Sequence, residues 1–193
     1  MLKFSPGTIG VDEAGRGPLA GPVVVCACLL FQPIEGLNDS KKLTEKKRME
    51  LMPLILRNSV SEIAIASSES IDESDILSCT LSCMERAIRN LTCRTDRFEQ
   101  ILVDGNFTPK SYKNIAESVV KGDSLYQSIA AASIVAKVTR DYIMTLYDSL
   151  YPEYGFKENK GYGTSYHTEA IKRVGLSEIH RRSFRLHGDN KQK

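Results

Sequence analysis

Apolar residues along this chain alternate between short continuous runs and a helical period. Thr8 to Val11 is a short apolar run that stops at Asp12-Glu13, and Val23 to Phe31 is a longer one, too apolar to leave either face in water. Both predict buried strands, joined by a Gly/Pro-rich loop from Gly15 to Pro22. After a turn at Pro33 and Gly36, a charged helix is expected from Leu43 to about Asn58, with Thr44 as its N-cap. Glu62 to Ala66 alternates around Ile63 and Ile65 and predicts a third strand. From Asp72 onward the period changes: Leu77, Leu81, Met84, Ile88 and Leu91 form one stripe along a helix.

The second half repeats the pattern with different punctuation. Ile101-Leu102-Val103 is a buried strand ending at the turn Asp104-Gly105-Asn106, and Ile115 to Val120 predicts a fifth strand ending at Lys121-Gly122-Asp123. A long helix follows from Ser124 to Leu150, and the small residues between Ser128 and Lys137 allow it to lie close on a sheet. Past Tyr151-Pro152 the chain is polar and Gly-rich through Gly155, Gly161 and Gly163, with a shorter helix from about Thr168 to Val174. Residues after His187 read as a disordered tail. Strands alternating with helices indicate the α/β class.

Composition narrows the possibilities. A chain of 193 residues with 41% hydrophobic and 26% charged residues suits one globular domain, residues 1–186, its C-terminal helical part at about 165–186. The longest apolar run is too short to cross a bilayer, and Pro6-Gly7 interrupts the N-terminus before a signal sequence could form, so a cytoplasmic protein is expected. The five cysteines show no zinc spacing and are expected to be reduced core residues. The net charge of +2 is small, but Lys41, Lys42, Lys46, Lys47 and Arg48 cluster early and Arg181, Arg182 and Arg185 late. Such runs permit a phosphate-rich partner without requiring one.

The candidate chemistry lies in carboxylates at element ends: Asp12 and Glu13 after the first strand, Asp104 after the fourth, Asp123 before the long helix. Neighbouring strand ends of an α/β sheet converge on one edge, where ligands bind. Each acid taken alone is more simply a solvated turn residue, and Asp123 alone a helix cap. Together they would repel one another, and two divalent cations would neutralise them, with all-oxygen donors selecting hard Mg²⁺ or Mn²⁺. Two such ions form the clamp used for phosphodiester hydrolysis. Beside this acidic pair, Gly15-Arg16-Gly17 lets backbone amides and a guanidinium approach a nucleic-acid backbone.

Several blocks then combine. Asp12 to Pro22 (DEAGRGPLAGP), Asp39-Ser40-Lys41-Lys42-Leu43, Val103-Asp104-Gly105-Asn106, Lys121-Gly122-Asp123, Ser128 to Asp141, Gly161-Tyr162-Gly163-Thr164 and His180-Arg181-Arg182-Ser183-Phe184 occur in order over nearly the whole chain. The set resembles bacterial type 2 ribonuclease H, ribonuclease HII. The type 3 enzymes are similar but carry an extra N-terminal domain and a Gly-Lys-Gly loop, and Arg16 favours type 2.

The resemblance implies a ribonuclease H-like fold with a central mixed five-stranded sheet flanked by helices. It implies hydrolysis of the RNA strand of RNA–DNA hybrids and incision 5′ of single ribonucleotides in duplex DNA, with two Mg²⁺ or Mn²⁺ ions. Asp12, Glu13, Asp104 and Asp123 match the catalytic metal ligands; Gly15, Arg16 and Gly17 match the loop that senses the 2′-hydroxyl. Tyr162 matches a tyrosine that packs on the sugar, and Lys41 and Lys42 are expected to contact phosphates. Asp141 is expected to be solvated or to pair helices rather than to bind metal. The end after Phe184 shows no sliding-clamp motif, so a monomer without an obligate protein partner is expected. The alternatives are an inactive nucleic-acid-binding module and another two-metal nuclease of this fold, such as a junction resolvase or transposase.

Overall fold

In the computed structural model, which describes residues 2–185, the first two apolar runs form β1 (Thr8–Ala14) and β2 (Val23–Leu30), paired antiparallel with Asp12 opposite Cys26. β3 (Ser59–Ala66) adds antiparallel to β2, β4 (Gln100–Asp104) runs parallel to β1, and β5 (Ala116–Val119) runs parallel to β4. The order β3-β2-β1-β4-β5 is the expected mixed sheet. The helices are α1 (Glu45–Arg57), α2 (Ser68–Glu73), α3 (Ile76–Thr92), α4 (Gln127–Leu150), α5 (Phe156–Asn159) and α6 (Ser165–Val174). Among the described residues no helix is long and apolar enough to cross a membrane.

Both faces of the sheet are covered, which is why β2 shows no polar alternation. Val24, Cys26, Cys28 and Leu30 pack with α1 and α4, while Val25, Ala27 and Leu29 pack with α3. The small residues of α4 bring it directly onto β1. A Cβ added to Gly10 would lie 2.2 Å from the carbonyl carbon of Ser128, so backbone meets backbone there. A separate cluster of Leu19, Ala20, Met144, Tyr154, Phe156 and Ile171 ties the loop after β1 to the C-terminal part.

Several boundaries move. β1 extends through Asp12 and Glu13, which lie inside the strand because their backbone continues to pair with β2 as far as Ala14 opposite Val24. β3 begins at Ser59, since its polar first half completes the ladder with β2. The striped helix expected from Asp72 starts later, at Ile76: Asp72 ends up in the short α2, and after a break at Ser74-Asp75, Asp75 caps α3 by accepting from the amides of Leu77 and Ser78. The long helix starts at Gln127, after a 3₁₀ turn over Gly122–Ser124, and α6 starts at Ser165 on the Thr164 cap. Four cysteines are buried as expected, but Cys93 is exposed, because it follows the last turn of α3. Asp141 is buried rather than solvated; it joins α1 to α4 by accepting Lys137 Nζ at 2.7 Å with Arg48 at 3.8 Å. The expected tail, 187–193, lies outside the described residues.

Candidate active site

Strand alternation puts Asp12 on the same face as Gly10 and Ala14, towards α4. Because β4 runs parallel to β1 with Val11 beside Val103, the next residues, Asp12 and Asp104, fall side by side. Asp123 arrives from the 3₁₀ turn before α4. Carboxylate oxygens of these three residues lie within 4.8 Å of one another. The turn is held in place by the Asp104 carboxylate, which accepts the Gly122 amide at 2.7 Å. A Cβ added at Gly122 would lie 2.5 Å from Ile129 Cδ1, so the Ile129 side chain would have to move to admit it.

The cluster is electrostatically costly. Burial, then the Glu13 and Asp104 carboxylates, push the Asp12 carboxyl well above its ordinary range, against the stabilising Ser133 hydroxyl and the Glu13 amide. Burial, then Asp104 and Asp39, raise Asp123 as well. Lys41 supplies the nearby positive charge: burial lowers its affinity for a proton, but Asp12, Asp123, Asp39 and Asp104 together outweigh burial and raise it. Lys42 is further out, its ammonium 3.2 Å from the Ser124 hydroxyl.

Glu13 stands beside the trio and is not one of the three carboxylates within 4.8 Å of one another. Its carboxylate meets Arg16 at 3.4 Å and feels the charge of Asp104. It lines a cleft of about 200 Å³ together with Gly15, Arg16, Gly17, Lys41 and Tyr162. Arg16 and Gly17 are exposed, and Tyr162 is 45% exposed. A Cβ on Gly17 would lie 3.9 Å from Tyr162 Cε1, so the loop and the ring are neighbours. Asp12, Asp104 and Asp123 thus form the trio, Glu13, Gly15, Arg16, Gly17, Lys41 and Tyr162 line the cleft, and Lys42 is in neither group.

The sequence model of the ribonuclease HII family matches residues 9–187. The chain belongs to the ribonuclease HII family. It is 48% identical over 181 residues to the ribonuclease HII of Fusobacterium nucleatum, covering 91% of this chain and 84% of that protein. It is 51% identical over 186 residues to that of a Marinomonas species, covering 95% and 92%. Among solved structures, the ribonuclease HII of Archaeoglobus fulgidus in complex with PCNA aligns with a TM-score of 0.79 at 26% identity, over 96% of each chain. Bst-RNase HIII in complex with Mn²⁺ aligns with a TM-score of 0.78 at 20% identity, over 94% of this chain and 68% of that one, a likeness of fold. The fold is ribonuclease H-like, and the ribonuclease HII chain is a metal-dependent endoribonuclease acting on RNA–DNA hybrids.

Two neighbours of the trio were not singled out from the sequence. Asp39 contacts Asp123, and Ser133 stands between Asp12 and Ser40, whose hydroxyl is 2.8 Å away. Both lie in ribonuclease HII blocks quoted above, so the signal was present. Nothing local indicated that the Asp39 loop folds over the end of β1.

Proposed function

We propose that Asp12, Asp104 and Asp123, with Glu13 beside them, hold two divalent cations, Mg²⁺ or Mn²⁺, and that the enzyme incises RNA–DNA hybrids and the 5′ side of single ribonucleotides in duplex DNA. The carrying observation is the trio of carboxylates within 4.8 Å of one another at one sheet edge. Three oxygen-donor groups this close, two of them raised by burial and mutual repulsion, fit hard cations and not a soft one. Bound cations would activate the attacking water and stabilise the departing oxygen. Water forms a bond to phosphorus, the bond to the 3′-oxygen breaks, and that oxygen takes up a proton, leaving 5′-phosphate and 3′-hydroxyl ends.

The protein's own groups prepare this. Ser133 and the Glu13 amide orient Asp12, and the Gly122 amide fixes Asp104. Lys41, with Lys42 outside it, offsets the negative charge of an approaching phosphate. The Gly15-Arg16-Gly17 loop and the Tyr162 ring line the cleft from which a ribose could be read. Residues 1–186 act as one catalytic domain in this reading, as a monomer. The PCNA complex of the Archaeoglobus relative makes a sliding clamp a compatible partner. In this reading the enzyme works in the cytoplasm, where chromosomal duplexes would supply its substrate. The test is a DNA duplex with one ribonucleotide, incubated with Mg²⁺ or Mn²⁺ and with excess chelator. Incision on the 5′ side only with metal is expected; equal cleavage of an all-DNA duplex, or cleavage unaffected by chelator, would overturn the reading.

A further inference from the structure

The His180-to-Phe184 block has no part in the function proposed so far, yet Arg181 within it is buried at 2% exposure. Its guanidinium donates to three backbone carbonyls: Nε to Gly21 at 3.0 Å, Nη1 to Arg16 at 2.9 Å and Nη2 to Gly15 at 2.5 Å. Arg140, 1% exposed, donates likewise to Pro22, Lys160 and Ala20. Among the described residues neither has a carboxylate at ion-pair distance. The charges also oppose each other, and burial first, Arg140 second, push Arg181 down to about 9. The ring of Phe184 covers it, 4.9 Å from its Cζ.

Such an arrangement has a geometric consequence. Every peptide bond in the described chain is trans, so each carbonyl points opposite to the amide hydrogen of the next residue. With the Gly15 and Arg16 carbonyls drawn to Arg181, the amide hydrogens of Arg16 and Gly17 point away from it, and both residues line the cleft. Among the described residues, neither has a protein acceptor. Gly15 is at φ +100°, and an added Cβ would lie 2.1 Å from Arg140 Nε, so Arg140 packs directly against the loop there and only glycine fits. Arg140 also sits 5.9 Å from the centre of the Tyr162 ring and bonds the Lys160 carbonyl just before it.

We propose that Arg181 is a positioning residue, which aims the Arg16 and Gly17 amides at the ribose of the substrate and keeps that loop in register with Tyr162. It touches no substrate and acts through the loop. A lysine would keep the charge but carries its donors on one atom, which cannot span three carbonyls on three residues. The proposal rests on the ribose-reading role of this loop and of Tyr162.

The test is a double-mutant cycle on the full-length protein with Mg²⁺. Single-turnover rates on a duplex with one ribonucleotide are measured for wild type, Arg181→Lys, Tyr162→Ala and the double variant, at a temperature where all are folded. Arg181→Lys is expected to slow cleavage about tenfold in the wild-type background and by less than about threefold in the Tyr162→Ala background, because the reader is already broken. Its affinity for an all-DNA duplex should stay unchanged. A wild-type-like rate for Arg181→Lys, or the same tenfold loss in both backgrounds, would overturn the proposal; the second result is what a purely structural arginine gives. If Arg181→Lys does not fold, Arg181→Gln is read in the same cycle. Should Tyr162→Ala itself cleave normally, the ribose-reading role fails and this proposal with it. If Tyr162→Ala is slow and Arg181→Lys is not, only this proposal fails.

Discussion

Replacing Asp12 by Asn should make the metal-free protein more stable and the metal-loaded enzyme inactive. Asp12 is 5% exposed, and its carboxylate lies within 4.8 Å of those of Asp104 and Asp123. Burial and these neighbours raise its affinity for a proton in the folded state above that in the unfolded chain. A carboxyl raised in this way contributes stability that is fully present below the unfolded value, about 3.9, and is lost as pH rises through the folded value. Asn mimics the protonated form at every pH, and its new amide faces carboxylates that accept it. Each pKa unit is worth about 1.4 kcal/mol, and in a domain of this size each kcal/mol moves Tm by roughly 2–4 °C. Thermal unfolding in chelator at pH 8 should therefore show Asp12→Asn melting at least about 3 °C above wild type. The gap should shrink towards pH 4 and close or reverse in saturating Mg²⁺, which stabilises only the protein that binds it. In parallel, single-turnover cleavage should fall by about a hundredfold or more, with duplex affinity little changed because phosphate contacts come from Lys, Arg and backbone. A lower Tm for Asp12→Asn in chelator at pH 8 would refute the electrostatic argument. Cleavage at a tenth of the wild-type rate would refute the ligand assignment.

Cleavage should rise from mildly acid to mildly alkaline pH, with the metal requirement growing on acidification, because the raised Asp12 and Asp123 carboxyls hold protons in competition with metal; a maximum near pH 5 with unchanged metal requirement would contradict this. Tyr162→Ala should slow single-turnover cleavage of a single-ribonucleotide duplex about tenfold, some 1.4 kcal/mol, and leave Tm unchanged because the ring is half exposed. Gly10→Ala should cost about 3 kcal/mol or more by urea unfolding, since its Cβ would meet the Ser128 backbone at 2.2 Å with no flexible side chain to yield. A midpoint within error of wild type would mean that β1 and α4 do not pack as closely as described.

Much of this architecture is determined by local pattern. Continuous apolar runs give strands whatever lies beyond them, and the stripe from Leu77 to Leu91 gives one buried helix face. Thr44 caps α1 as expected, by accepting the Lys47 amide. The acids were legible too, because charges next to buried strands invite a functional explanation. Their roles beside one another were not. Where Glu13 sits relative to Asp12 depends on the strand running three residues beyond its apolar part, as far as Ala14, because β2 supplies partners there. Asp39 and Ser133 reach the trio from segments distant in sequence. The same holds for Arg140 and Arg181, whose positions in the sequence suggest surface charge, yet whose guanidiniums lie buried among carbonyls of a loop more than a hundred residues earlier. Periodicity records which side chains must leave water, since that preference belongs to each residue and its immediate neighbours. Which groups a buried charge then faces is decided by long-range packing, because its energy is set by partners a few ångströms away in space and not along the chain.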